Sequence, residues 1–173
     1  ASDLGGVPVV VVRDEEGVLR AYANTCRHRS TQVMEGEGHC ARMRCPFHSW
    51  TYGLDGRLLG APSMQQTKDF DRGEHGLHEF AVAECHGFAF VSLEASPPSI
   101  DHWLGDFGVI HSRWDLASLV TTRRREFTVD CNWKEFAEVF NEYYHLPYVH
   151  PGSIDDTYDD PDAPEEVVGP WAT

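Results

Sequence analysis

Two pairs of residues in this chain have the types and spacing needed to hold metal. Cys26 and His28 have one residue between them, Cys45 and His48 have two, and sixteen residues separate the pairs. Each pair offers one thiolate and one imidazole. Two Cys and two His can hold zinc tetrahedrally. They can also hold a [2Fe–2S] cluster in which two Cys bind one iron and two His the other. Imidazole is neutral where thiolate is anionic, so a His-bound iron accepts an electron at higher potential. Zinc knuckles usually pair Cys with Cys and His with His, whereas here each pair is mixed. The mixed pairs favour the cluster, and with it electron transfer or oxidation.

A second set lies downstream, with the pattern acid-x-x-His-x₄-His at Glu142, His145 and His150. Two His plus a carboxylate form the facial triad of non-haem Fe(II) sites, which leaves positions open for O₂. The spacing places Glu142 and His145 on one face of a helix. His150 lies past Pro147, so a turn there can bring both imidazoles to one ion.

These residues need a frame. The 173 residues, 41% hydrophobic, are enough for one full domain and part of a second. Val7 to Arg13 and Val18 to Asn24 read as strands around the turn Asp14-Glu15-Glu16-Gly17. Residues 41–45 read as a short strand delivering Cys45. Trp50-Thr51-Tyr52 continues into a hairpin at Asp55-Gly56, and residues 79–85 and 88–93 pair around His86-Gly87. Residues 1–97 are therefore expected to form an all-β domain whose metal loops hang from neighbouring hairpins. Pro97-Pro98 marks the boundary with a second domain, 98–173. There, one or two short helices are expected over 101–117 and a strand over 121–130. Apolar residues from Trp133 to Tyr144 recur every three or four positions, which predicts an amphipathic helix over 131–146. Asp130 or Asn132 would cap it, and Pro147 would end it. Asp155 to Glu166, with seven acids and two prolines, reads as an exposed loop.

Charge and composition exclude other classes. The formal charge is −14, and Arg123-Arg124-Arg125 is the one basic run, so no nucleic-acid partner is expected. No apolar run approaches the ~18 residues of a membrane span, so no membrane partner is expected either. Three cysteines remain beyond Cys26 and Cys45, an odd number without disulfide spacing. That fits a reducing compartment, and a cytoplasmic location is the expectation. The chain starts without Met and reads as a fragment.

Asn24-Thr25-Cys26-Arg27-His28-Arg29 and Cys45-Pro46-Phe47-His48-Ser49-Trp50-Thr51-Tyr52-Gly53 resemble the two cluster loops of Rieske non-haem iron oxygenases. The resemblance runs over residues 5–95. Respiratory Rieske proteins carry an extra disulfide-bonded cysteine in each loop and a serine two positions after the second His. Here Thr31, Phe47 and Trp50 stand at those positions. Fewer hydrogen bonds to the sulfurs are then expected, and a lower potential. Ser49 stands where the oxygenases usually have glycine. The run Asn132-Trp133-Lys134 through Glu142, His145 and His150 to Pro151 resembles the mononuclear-iron motif of the same family.

The resemblance implies an α+β chain: an all-β Rieske [2Fe–2S] domain followed by the start of a helix-grip-like catalytic domain for mononuclear iron. It implies that Cys26, His28, Cys45 and His48 bind one [2Fe–2S] cluster per subunit and that His145 and His150 bind Fe(II). Glu142 would be no ligand but the carboxylate bridging His48 of one subunit to His145 of the next. The third ligand would be an Asp far downstream. The implied activity is that of a terminal oxygenase, an oxidoreductase using O₂ and NAD(P)H-derived electrons from a flavin- or ferredoxin-type reductase. A homotrimer or an α₃β₃ assembly is implied. The run Asn141-Glu142-Tyr143-Tyr144-His145 is similar to that of oxygenases that demethylate quaternary ammonium compounds such as glycine betaine, with an aromatic cage to which Trp171 or a tyrosine would contribute. The alternatives are aromatic-ring dihydroxylation, as in aromatic hydrocarbon catabolism by a dioxygenase, and a Rieske ferredoxin that only carries electrons.

Overall fold

The computed structural model describes residues 1–142, 144–150 and 152. The chain divides into two compact units, Ala1–Leu119 and the residues from Val120 onward. The first holds two antiparallel sheets. One has the order β1-β2-β3-β7-β8: β1 (Ser2–Leu4), β2 (Val7–Arg13), β3 (Leu19–Ala23), β7 (Glu79–Cys85) and β8 (Phe88–Ser92). The other is β4-β5-β6: Met43–Arg44, Thr51–Tyr52 and Leu58–Gly60.

The expected hairpins form for local reasons. Val-rich β2 pairs with β3 from Val9↔Ala23 to Arg13↔Leu19. The Asp14 carboxylate closes their turn, accepting N–H bonds from Glu16 and Val18 and an Arg20 Nε–H bond at 2.9 Å. Those donors hold its carboxyl below the usual carboxylate range, Arg20 contributing most. Between β7 and β8, His86 and Gly87 both have φ above +50°, as a primed two-residue turn requires. Strand β1 was not expected. Gly5 and Gly6, with φ of 61° and 90°, turn it back onto β2, and this Gly-Gly pair was the signal for it.

The core runs through the proposed ligands. Cys26 and Cys45 are buried with Tyr22, Val33, Met43, Trp50, Tyr52, Leu58 and Leu77. Gly56, at φ +78°, lies against the Tyr22 ring, where a Cβ would come within 2.5 Å. Burial pushes the Tyr22 phenol up to about 12, and its O–H donates to Leu54 O. Sheet, core and ligand loops thus form one packed body.

Beyond Pro98, Ser99 caps α1 (Ile100–Leu104), its Oγ accepting from His102 N–H at 3.3 Å. Helix α2 (Phe107–Ile110) and a 3₁₀ turn (Leu116–Ser118) follow. Two expectations fail in the second unit. Residues 121–130 form no strand. Among the described residues no strand pairs with them, and Phe127 stays 81% exposed, so nothing offsets the order a ladder demands. The helix expected over 131–146 is shorter: α3 spans Trp133–Asn141, capped by Asn132, whose Oδ1 accepts from Lys134 N–H at 3.0 Å. Glu142 is extended (φ −123°, ψ 148°) and ends it. Pro147 does not stop that helix. It lies in the first turn of a second one, α4 (Leu146–Val149), where its missing N–H costs nothing. The acidic stretch from Asp155 to Glu166 lies outside the described residues.

Candidate metal centres

The two ligand loops have the same backbone. Cys26 N–H donates to Thr31 O at 2.8 Å, and Ser30 N–H to Cys26 O at 2.9 Å. Cys45 N–H donates to Trp50 O at 2.8 Å, and Ser49 N–H to Cys45 O at 3.1 Å. In each loop the residue four past the cysteine is a serine in the left-handed region, Ser30 at φ 55° and Ser49 at 60°. That conformation favours glycine, which accounts for the glycine usual at the Ser49 position. Arg44 Nη2 donates to Ser49 Oγ at 2.9 Å and helps to hold it there.

The side chains converge from both loops. The His28 and His48 rings lie 4.8 Å apart at 66°. His28 stacks on Trp50, 4.9 Å between centroids and 7° from parallel. His28 Nδ1 is, among the described residues, the buried side-chain nitrogen left without a hydrogen bond. Burial, and then His48 and Arg29 nearby, push the His28 imidazole below its usual range, so it is neutral and a nitrogen lone pair is available. His48 is exposed, with the Phe47 ring against it at 3.9 Å.

Tyr52 adds a contact that the motif alone did not reveal. Arg27 N–H donates to Tyr52 Oη at 3.0 Å, and Tyr52 Oη lies 3.3 Å from Cys26 Sγ. Burial, and then the bond to Cys26, push the phenol well above its usual range. It keeps its proton, and toward a thiolate, which can only accept, it would be the donor. Fewer hydrogen bonds to the sulfurs were expected, and this contact is one that the sequence reading did not foresee. Strand alternation was the available signal, since it puts Tyr52 on the same face as Trp50. Asn24 was also missed. It is fully buried, its Nδ2 donating to Met34 O and its Oδ1 accepting from Val33 and Met34 N–H.

An orphaned buried nitrogen, two buried thiols and a second imidazole fit a [2Fe–2S] centre. Among the described residues no three His, Cys, Asp or Glu converge on one point. A Rieske centre needs no such set, because each iron takes only two protein ligands.

In the second unit, Glu142 and His145 do not share a helix face, because the helix has ended. Glu142 turns its carboxylate to the start of α4 instead. His145 N–H donates to Oε2 at 3.3 Å, and His145 Nδ1 bonds Oε1. The bond to His145 holds the Glu142 carboxyl below its usual range. The carboxylate is the acceptor, so His145 carries its proton on Nδ1 and its Nε2 is the nitrogen available to an ion. The His145 and His150 rings lie 5.5 Å apart. Tyr143 and Trp171 lie outside the described residues.

The comparisons with known proteins agree in both units. A Rieske [2Fe–2S] domain matches residues 1–71 and a ring hydroxylating alpha subunit (catalytic domain) matches 115–170. The glycine betaine monooxygenase oxygenase subunit of Chromohalobacter salexigens is 37% identical over 164 residues, 93% of this chain and 37% of its own length. The chloroplastic choline monooxygenase of Beta vulgaris is 38% identical over 153 residues, 85% of this chain and 34% of its own. A crystal structure of the quaternary ammonium Rieske monooxygenase CntA with L-carnitine superposes with a TM-score of 0.84 at 28% identity, over 90% of this chain and 45% of that one. The chain thus spans little more than a third of the length of the curated relatives it matches. Among the described residues no helix is long and apolar enough to cross a membrane. The chain belongs to the Rieske oxygenases: it carries the Rieske [2Fe–2S] domain and part of the ring-hydroxylating alpha-subunit catalytic domain.

Proposed function

We propose that this chain is part of the oxygenase component of a monooxygenase acting on a quaternary ammonium compound, with glycine betaine as the first candidate. The observation that supports it most is the pair of matching loops that carry buried Cys26 and Cys45 together with His28 and His48, whose rings lie 4.8 Å apart, with a buried His28 nitrogen unclaimed. Cys26 and Cys45 would hold one iron of the cluster, and His28 and His48 the other. His145 and His150 would hold Fe(II), with Glu142 fixing the tautomer of His145 through its Nδ1–H. When bound, the cluster supplies single electrons and the mononuclear iron supplies O₂ activation.

The chain's own residues tune and aim these centres. Tyr52 offers an O–H to Cys26 Sγ. Trp50 covers one face of His28, whereas His48 remains exposed. An exposed imidazole suits the handover to Glu142 and His145 of a neighbouring subunit in a homotrimer or α₃β₃ assembly. The domain boundary near Pro97-Pro98 and a cytoplasmic location belong to the same reading. The substrate class comes from the relatives' names, glycine betaine and choline monooxygenases, and from CntA with L-carnitine. For an N-methyl substrate, O₂, two electrons and two protons give the N-hydroxymethyl compound and water. The carbinol then releases formaldehyde and a proton.

The test is oxygen uptake and formaldehyde release by the full-length enzyme with its reductase. Glycine betaine should give one formaldehyde per O₂. A cis-diol from an aromatic ring, with no formaldehyde from betaines, would replace this reading by dihydroxylation. In the same enzyme Glu142→Gln should stop turnover while both metals stay bound. Unchanged turnover removes the bridging role of Glu142.

A further inference from the structure

A basic groove lies beside the second ligand loop, although the chain as a whole carries −14. It encloses about 1200 Å³ within the first unit. Arg44, Arg57 and Arg72 line it against one carboxylate, Asp71. Asp71 is already engaged, its Oδ1 accepting from Gly73 N–H at 2.8 Å. The arginines are held in place. Arg72 Nη1 donates to Leu59 O at 3.1 Å, and Arg57 pairs with Asp55 yet stays 82% exposed. Arg44 Nη2 donates to Ser49 Oγ at 2.9 Å.

That last bond ties the groove to the ligand loop. Arg44 directly precedes Cys45, and Ser49 directly follows His48. Whatever binds Arg44 is one residue from Cys45 and, through the bond to Ser49, next to the neighbour of His48. Guanidinium groups take carboxylates in bidentate fashion, and a protein surface presenting several carboxylates would engage all three. The overall charge repels an acidic partner at long range. The local cluster reverses that sign at short range and fixes where such a partner lands.

We propose that the Arg44–Arg57–Arg72 groove is the docking site for the acidic face of the protein that supplies electrons to the Cys45–His48 loop. This rests on the reading of Cys45 and His48 as cluster ligands. Arg44 and Ser49 line the groove, whereas exposed His48 does not, so a donor held there would leave His48 open for the onward handover.

The test uses full-length protein with its cluster and a reduced plant-type ferredoxin, an acidic [2Fe–2S] protein, as donor in stopped flow. Wild-type reduction should slow as salt rises. The double variant Arg57→Glu/Arg72→Glu should be slower on the order of tenfold and lose that salt dependence. Its cluster content and reduced EPR signal should match the wild type. If the double variant loses cluster, Arg57→Gln/Arg72→Gln decides on the same readout. Equal rates in variant and wild type, with the cluster intact, overturn the proposal. So does a wild-type rate that rises with salt, the sign that repulsion between two acidic proteins gives. Absence of any cluster from the wild-type protein fails earlier, at the ligand assignment, so the two failures are distinct.

Discussion

In the loop from Cys26 to Thr31 and in the loop from Cys45 to Trp50, the cysteine N–H bonds the carbonyl five residues on, and a left-handed serine sits one residue before it. The loops diverge at that fifth position. In the first loop it is Thr31, half-buried. In the second it is Trp50, 2% exposed, and its indole stacks on His28 of the other loop. The stems differ too. The second loop rises from the β4–β5 ladder. The first has a single bridge, Thr25↔Gln32, backed by the buried Asn24 side chain. One backbone motif is therefore used twice. Trp50 covers His28 of the other loop, while His48 is exposed.

Removing Trp50 should break this asymmetry most strongly. Trp50→Ala leaves a cavity in the shared core at a cost of about 3–5 kcal/mol. Denaturant unfolding should show that loss, and cluster bleaching should accelerate as His28 becomes exposed. Bleaching at the wild-type rate would mean that Trp50 does not set the cover.

Asn24→Ala comes next, at about 2–3 kcal/mol, because it strands buried backbone partners at Val33 and Met34. The loss should appear as iron and sulfide content below one cluster per chain. A full cluster complement with unchanged stability would show that the Thr25↔Gln32 bridge alone holds the first stem.

The left-handed serines test the equivalence of the two backbones. Ser30→Val and Ser49→Val should each cost about 1–2 kcal/mol, since a β-branched residue resists positive φ. The Ser49 variant should lose slightly more, because it also gives up the bond from Arg44. A large gap between the two would mean that the loops are alike in sequence pattern only.

The smallest effect concerns a turn that touches neither loop. The folded-state pKa of Asp14 is depressed, chiefly by Arg20, so its contribution is present above the unfolded value, near pH ~4. It is lost as pH falls through the lower folded value. Asp14→Asn should flatten acid unfolding in that window and leave the cluster signal unchanged at neutral pH.

The parts legible in the sequence were those with local causes. Cys26, His28, Cys45 and His48 announce themselves by type and spacing. The β2–β3 and β7–β8 hairpins follow from strand composition and turn residues. Parts that depend on distant partners were not legible. Residues 121–130 alternate as a strand does, yet no strand pairs with them among the described residues. Helical periodicity ran through Glu142, but its carboxylate leaves the helix to bond His145. Competition between a side chain and the helical backbone is invisible to a periodicity count. Asn24 and Tyr52 were legible as residue types, but not as the groups that brace the first loop and bond its sulfur.

The central claim is that two thiolates and two imidazoles from these loops hold one [2Fe–2S] cluster. EPR with nitrogen ENDOR on the reduced full-length protein tests it most directly. The account predicts a low-average-g signal with strong coupling to two imidazole nitrogens, and loss of one coupling in His28→Cys. A colourless protein containing zinc, or a cluster signal without nitrogen coupling, would contradict it.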